Sequence, residues 1–185
     1  SMVSEEIELN HAAEAAGIGA LESDMGEYIV QLADEKPSHI IMPAIHKTKG
    51  EVADLFQRRH GGPKLDDPAD MVAEARRVLR RRYLEADVGI TGANFLIAET
   101  GSIVTVTNEG NAELTQGLPR VHVCVTSLEK LVPTAEDAFT LLRLLARSAT
   151  GQEFSAYTTV MTGPKRPGDL DGPEAFHIVL VDNGR

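Results

Sequence analysis

The stretch DVGITGANFLIAETGSIVTVT, residues 87–107, holds the change of character on which the fold turns. Asp87 to Thr91 is a short strand-like run. Gly92, Ala93 and Asn94 interrupt it. Phe95 to Glu99 and Ser102 to Thr107 are then two β-rich runs on either side of Thr100-Gly101, a tight-hairpin signal. Strands and helices alternate before this stretch, and antiparallel additions are expected from it onward.

Upstream, Ser4 opens a helix whose first turn carries Glu5 and Glu6, favourable beside the positive end of the helix dipole, and Gly17 ends it. Ile18 to Glu22 reads as a short strand. Met25, Tyr28, Ile29 and Leu32 recur at helical spacing after the cap Ser23. Ser38 to Met42 is an apolar run before Pro43, consistent with a buried parallel strand. Thr48 with Glu51 is a capping-box pair opening a helix through Val52, Leu55 and Phe56. Asp67-Pro68 starts another, with Val72, Ala75, Leu79 and Tyr83 on one face. The order favours a parallel sheet covered by helices.

Downstream, Val121 to Thr126 is strand-like, and Thr134 with Asp137 caps a helix whose buried stripe is Ala138, Leu141, Leu142 and Leu145. Phe154 to Thr162 and Phe176 to Val181 are late strands separated by the Gly- and Pro-rich loop 163–173. No internal repeat or composition break intervenes. The expectation is a single α/β domain over residues 1–185, a three-layer open sheet, partly parallel with antiparallel hairpin additions. Both ends read as cut, because a helix begins at Ser4 without lead-in and the chain stops at Arg185 directly after a strand.

Composition narrows the function classes. Hydrophobic residues make up 42% of 185 and aromatics only 4%, so the core must be built from aliphatic side chains. A net charge of −10 argues against nucleic acid and anionic membrane surfaces, both of which would be repelled. The one cysteine, Cys124, leaves no internal disulfide and no thiolate cluster site, and mid-strand it reads as a small core residue. There is no membrane-length apolar run and no signal peptide, so a cytoplasmic location is expected.

Open α/β sheets bind ligands beyond the carboxyl ends of their strands. Three such segments carry polar residues. After Ser38 to Met42, His46 offers an acid or base and Lys47 a cation for a carboxylate or phosphate, although a polar loop leading into a helix would look the same. Thr91, Gly92 and Asn94 offer backbone amides, a hydroxyl and an amide to an anion, or an ordinary turn. Glu99, and Glu109 within Asn108-Glu109-Gly110-Asn111, are acids in β-rich surroundings. A partly buried carboxylate there would serve as base or nucleophile, with Asn108 and Asn111 as binding groups, although turns demand such residues anyway. No metal is expected, since His39 and His46 have no third ligand at metal spacing. The basic run Arg76, Arg77, Arg80, Arg81 and Arg82 reads as a solvated helix face.

Asp24 to Ile29, Pro37 to Ile40, Pro43 to Lys47, Ala86 to Phe95, Ala98 to Gly101 and Asn108 to Asn111 together resemble the lactate utilization protein B family. Ala146 to Gln152, Thr162 to Pro164 and Val181 to Arg185 are similar to it as well, so the resemblance spans essentially the whole chain. It implies a LUD domain, with a fold similar to the NagB, ribose-phosphate isomerase and CoA-transferase group. It further implies membership of an iron–sulfur protein that oxidises L-lactate to pyruvate with two other lactate utilization proteins. A small carboxylate such as lactate would be the ligand. Two [4Fe–4S] clusters are expected in a ferredoxin-like region beyond Arg185 and none in this chain, and a first βα unit is expected before Ser1. The resemblance assigns no catalytic residues, so His46, Lys47, Thr91, Gly92, Asn94, Glu99, Asn108, Glu109 and Asn111 stand on position and chemistry alone. The competing classes are an independent sugar-phosphate or acyl-CoA enzyme of the same fold group, and an assembly module without a ligand.

Overall fold

The computed structural model describes residues 2–39, 42–182 and 184. In chain order the elements are helices α1 (Met2–Glu6), α2 (Leu9–Ala15), α3 (Met25–Ala33), α4 (Lys49–His60) and α5 (Pro68–Glu85), then strands β1 (Val88–Thr91), β2 (Phe95–Ile97) and β3 (Ser102–Thr107). Helix α6 (Asn111–Gly117), strands β4 (Val121–Ser127) and β5 (Leu131–Val132), helix α7 (Ala135–Thr150), and strands β6 (Tyr157–Met161) and β7 (Ala175–Val181) complete the order. Contacts gather in two compact units: a helical one, Ala13–Glu85, and a β-containing one, Ser1–Ala12 with Ala86–Arg185. Among the described residues no helix is long and apolar enough to cross a membrane.

In the helical unit, α3, α4 and α5 surround a core of Tyr28, Ala53, Phe56, Met71, Ala75 and Leu79. The expected signals operate locally. Thr48 and Glu51 form both halves of the capping box on α4, and Asp67 accepts from the Ala69 amide at the start of α5. Asp24, rather than Ser23, caps α3 by accepting from the Gly26 and Glu27 amides. Tyr28 keeps its buried hydroxyl satisfied on His60 Nε2 at 2.8 Å. The helix from Ser4 to Gly17 is interrupted, because Glu8 sits at a left-handed φ of 51° between α1 and α2. Gly17 does end α2: its own amide reaches Glu14 and that of Ile18 reaches Ala13, the paired bonds of a Schellman cap.

One expected strand does not form, and a second falls partly outside the described residues. Ile18 to Glu22 is irregular, with Ile18 62% exposed, because the Gln31 side chain takes up its backbone groups in place of a neighbouring strand. Gln31 Nε2 donates to Ala20 O at 3.0 Å, and Gln31 Oε1 accepts from Glu22 N at 2.9 Å. Of Ser38 to Met42, residues Ile40 and Ile41 lie outside the described set, and Ser38, His39 and Met42 are exposed and non-strand. The Ser38 amide donates to Pro43 O.

The β-containing unit is mixed α/β, with parallel and antiparallel pairings as expected. Strands β1, β4 and β7 form an all-parallel sheet in the order β1-β4-β7. A second sheet runs β5-β2-β3-β6, with the β2–β3 hairpin antiparallel around Gly101 and β5 parallel to β2. Pleat alternation splits the second sheet's apolar residues between its faces. Leu96 and Ile103 pack on Cys124 with Phe176 and Ile178 from the parallel sheet, while Ile97, Val104 and Val132 face α7 through Ala138 and Leu142. The unit is thus layered as sheet, sheet and helix. Thr134 and Asp137 form the expected capping box on α7, but Leu141 stays 42% exposed, outside the stripe. Helix α6 was not legible in advance; it lies so close to β1 that Gly89 faces the Thr115 carbonyl.

Candidate functional site

The helical unit concentrates its chemistry around Glu35. Helix α3 ends at Asp34, whose left-handed φ of 58° is one that Asp tolerates, and a Schellman pair closes on Gln31 and Val30. The next residue, Glu35, leaves the helix with its carboxylate free to meet the loop returning from Pro43. That loop packs closely on α3: a Cβ at Gly26 would stand 2.9 Å from Pro43 Cδ, so only glycine permits the approach. Turns from Met42 to Ile45 and from Ala44 to Lys47 then present two consecutive side chains to Glu35. His46 Nε2 lies 2.8 Å from one carboxylate oxygen, and Lys47 Nζ donates to the other. On the opposite edge of the imidazole, Ser38 Oγ is 2.7 Å from His46 Nδ1. The Lys47 ammonium, and after it the His46 ring, hold the Glu35 carboxyl below the usual carboxylate range.

Glu35 and Lys47 also line a cleft of about 450 Å³, within the size range of small-molecule sites. Its apolar floor is Leu32, Ala33 and Leu55, and its other polar walls are Glu51, Asp54, Arg58 and Arg59. The three acids are all engaged: Glu35 by Lys47 and His46, Glu51 by the Thr48 amide and hydroxyl, and Asp54 by Lys64 at 2.5 Å. Among the described residues Arg59 engages only its Nε, on Leu32 O at 2.8 Å. Arg58 has no partner among the described residues. The charge left open in the cleft is therefore guanidinium, suited to two-point recognition of a carboxylate.

The remaining candidates lie in the β-containing unit, where most have structural partners. Thr91 is buried, and its hydroxyl meets His122 Nε2 at 2.8 Å; Gly92 follows it, half-buried, at the end of β1. Asn94 extends the hairpin ladder, donating its amide to Val104 O and accepting from Val106 N. Asn108 bridges to Gln152 and to the Ala156 amide. Asn111 opens α6, its carbonyl accepting from Thr115 Oγ1. Glu99 and Glu109 are exposed, not partly buried. Glu99 Oε1 accepts from the Ala135 amide at 2.7 Å and supplements the cap of α7. Glu99→Ala is accordingly expected to lower the melting temperature by roughly 2–4 °C while leaving ligand binding unchanged. A calorimetric scan and titration of the variant check both halves of that expectation.

His46 and Lys47 are thus the two sequence candidates that the fold brings onto one acceptor. Glu35, Ser38, Arg58 and Arg59 escaped sequence reading. Arg58 and Arg59 belong to the last turn of α4, where cations are ordinary complements of the dipole. Cys124 is wholly buried, and burial pushes its thiol up to about 12, so it is neither nucleophile nor ligand near neutral pH. A [4Fe–4S] cluster needs four thiolates, and this chain's single buried thiol does not fit one. Among the described residues no group of three or more His, Cys, Asp or Glu is placed to hold a metal ion.

The LUD domain family model matches residues 2–181. The chain is 54% identical over 186 residues to lactate utilization protein B of Geobacillus kaustophilus (strain HTA426), covering 100% of this chain and 39% of that protein. It is 52% identical to the protein of the same name from Lysinibacillus sphaericus (strain C3-41), with the same coverage of each. The chain therefore spans about two-fifths of the length of these relatives. Among solved structures, a DUF162 family protein from Deinococcus radiodurans aligns over 86% of this chain and 85% of its own, with a TM-score of 0.42 and 18% identity.

Proposed function

The chain belongs to the LUD domain family, and from that premise we propose that it serves lactate utilization by binding a small carboxylate in the α3–α4 cleft. The observation that carries this reading is the imbalance of partners there. Every acid of the cleft is already satisfied, whereas Arg58 and the terminal nitrogens of Arg59 have no partner among the described residues and are open to an incoming anion. A 2-hydroxy acid placed with its carboxylate on Arg58 would share the cleft with Lys47. The relatives' name supports the choice of lactate among small carboxylates. Electron transfer through [4Fe–4S] clusters, and docking to two partner proteins of the same system, are assigned in this proposal to parts of the whole protein outside this chain.

Replacing either Arg58 or Lys47 by alanine should weaken lactate binding by about 1.5–3 kcal/mol, or roughly 10- to 150-fold in Kd, the worth of a charge-assisted hydrogen bond. Isothermal titration of L-lactate into the chain and the two variants reads this directly. Unchanged affinity in Arg58→Ala would remove the cleft from consideration. Unchanged affinity in Lys47→Ala alone would leave Lys47 as no more than the counter-ion of Glu35.

A further inference from the structure

We propose that Ser38 is a nucleophile, with His46 as its general base and Glu35 as the residue that positions the base, and that this loop transfers short acyl groups from esters or thioesters to water. The three side chains form one chain of contacts: Ser38 Oγ to His46 Nδ1 at 2.7 Å, then His46 Nε2 to Glu35 Oε2 at 2.8 Å. An ionised carboxylate only accepts hydrogen bonds, so the ring proton must sit on Nε2. Nδ1 is then left with a lone pair facing the Ser38 hydroxyl. The two ring nitrogens have exchanged roles relative to the serine-protease template, but nucleophile, base and orienting acid follow in the same order. Among the described residues Ser38 Oγ has one other acceptor within reach, Pro43 O at 3.1 Å, the longer of the two contacts.

The chemistry closes without an external oxidant or reductant. Ser38 Oγ attacks the acyl carbon and its proton passes to His46 Nδ1. The tetrahedral adduct collapses, the bond from the acyl carbon to the leaving oxygen or sulfur breaks, and His46 returns the proton to the departing alcohol or thiol. Water then attacks the acyl-serine, His46 takes its proton, and the carboxylic acid leaves as Ser38 is reprotonated. Glu35 touches none of the reacting atoms and holds the imidazole in the tautomer and orientation the steps require. Because Glu35 and Lys47 also line the cleft, an acyl chain bearing its own carboxylate would reach toward Arg58. Only that preference for an anionic acyl group rests on the carboxylate-binding reading.

The test treats the chain with an alkyl fluorophosphonate, a serine-directed reagent, and maps the adduct by peptide mass spectrometry, with p-nitrophenyl acetate hydrolysis followed alongside. The expected result is one adduct, at Ser38, absent in Ser38→Ala and His46→Gln, with hydrolysis about 100-fold slower in both. Melting temperatures should be unchanged, and Ser155→Ala should behave as the parent chain. Glu35→Gln should slow labelling, and Glu35→Asp should recover part of the rate, which a purely structural role would not require. No adduct, an adduct elsewhere, or unaltered hydrolysis in Ser38→Ala would overturn the proposal. Neither reagent carries a carboxylate. A chain that binds lactate without being labelled therefore overturns the nucleophile alone, and one labelled without binding lactate overturns the cleft reading alone.

Discussion

Gly89→Ala is expected to be the most damaging single-methyl change in the β-containing unit. Gly89 lies in β1 on the face covered by α6, in register with His122 of β4. A Cβ there would stand 1.9 Å from the Thr115 carbonyl oxygen, 3.0 Å from its carbon and 3.2 Å from Pro119 Cγ. The first contact is with backbone, so no rotamer change relieves it; α6 or β1 must move as a body. Glycine inside a strand often marks such a close backbone approach. Overpacking typically costs 1–3 kcal/mol, and a clash with a helix carbonyl belongs at or above the top of that range, so a loss of about 3 kcal/mol or more is expected. That is a large share of a domain's stability. Urea unfolding of the variant measures it, and a loss below about 1 kcal/mol would show that α6 can be displaced from β1 at little cost.

The second large effect is acid sensitivity centred on His122. Its ring is fully buried in β4, stacked at 5.2 Å on Phe176, with Nε2 on Thr91 and no partner for Nδ1 among the described residues. Burial pushes its pKa down to about 4, against 6.5 for an ordinary histidine. With the folded value depressed, the unfolded chain binds the proton first. His122 therefore leaves stability intact above pH 6.5 and removes it as pH falls from 6.5 toward 4. The interval corresponds to about 3 kcal/mol. His60, whose ring burial likewise lowers, acts with the same sign. Unfolding free energies measured at pH 7.5 and 4.5 should differ accordingly. In His122→Phe the difference should shrink by most of that amount, whatever the variant's stability at neutral pH. An unchanged pH slope in His122→Phe would mean that the ring is not buried neutral in the folded chain.

What was legible in the sequence is what a few neighbouring residues decide. The capping boxes at Thr48 with Glu51 and at Thr134 with Asp137, the stop at Gly17 and the hairpin around Gly101 each depend on residues within a turn or two, and each forms. Ile18 to Glu22 misled because its backbone is taken up by Gln31, a side chain nine to eleven residues away that carries no strand signal. Helix α6 is seven residues long, too short for helical periodicity to register, and follows a glycine-containing segment that reads as a turn. The site divides along the same line. His46 and Lys47 stood out as polar residues in a promising loop. Their common acceptor Glu35 lies eleven and twelve positions earlier, joined to them only once the loop through Ser38 and Pro43 closes.

The central claim is that the α3–α4 cleft is where this chain meets a small carboxylate, and mapping that contact by NMR tests it most directly. L-lactate is titrated into the ¹⁵N-labelled chain while backbone amide and arginine side-chain signals are followed. The expected result is saturable shifts at Lys47, Arg58 and Arg59, with their guanidinium signals the most displaced, and none at Thr91 to Asn94 or Asn108 to Asn111. Shifts confined to either of those loops, or no saturable shift anywhere, would contradict it.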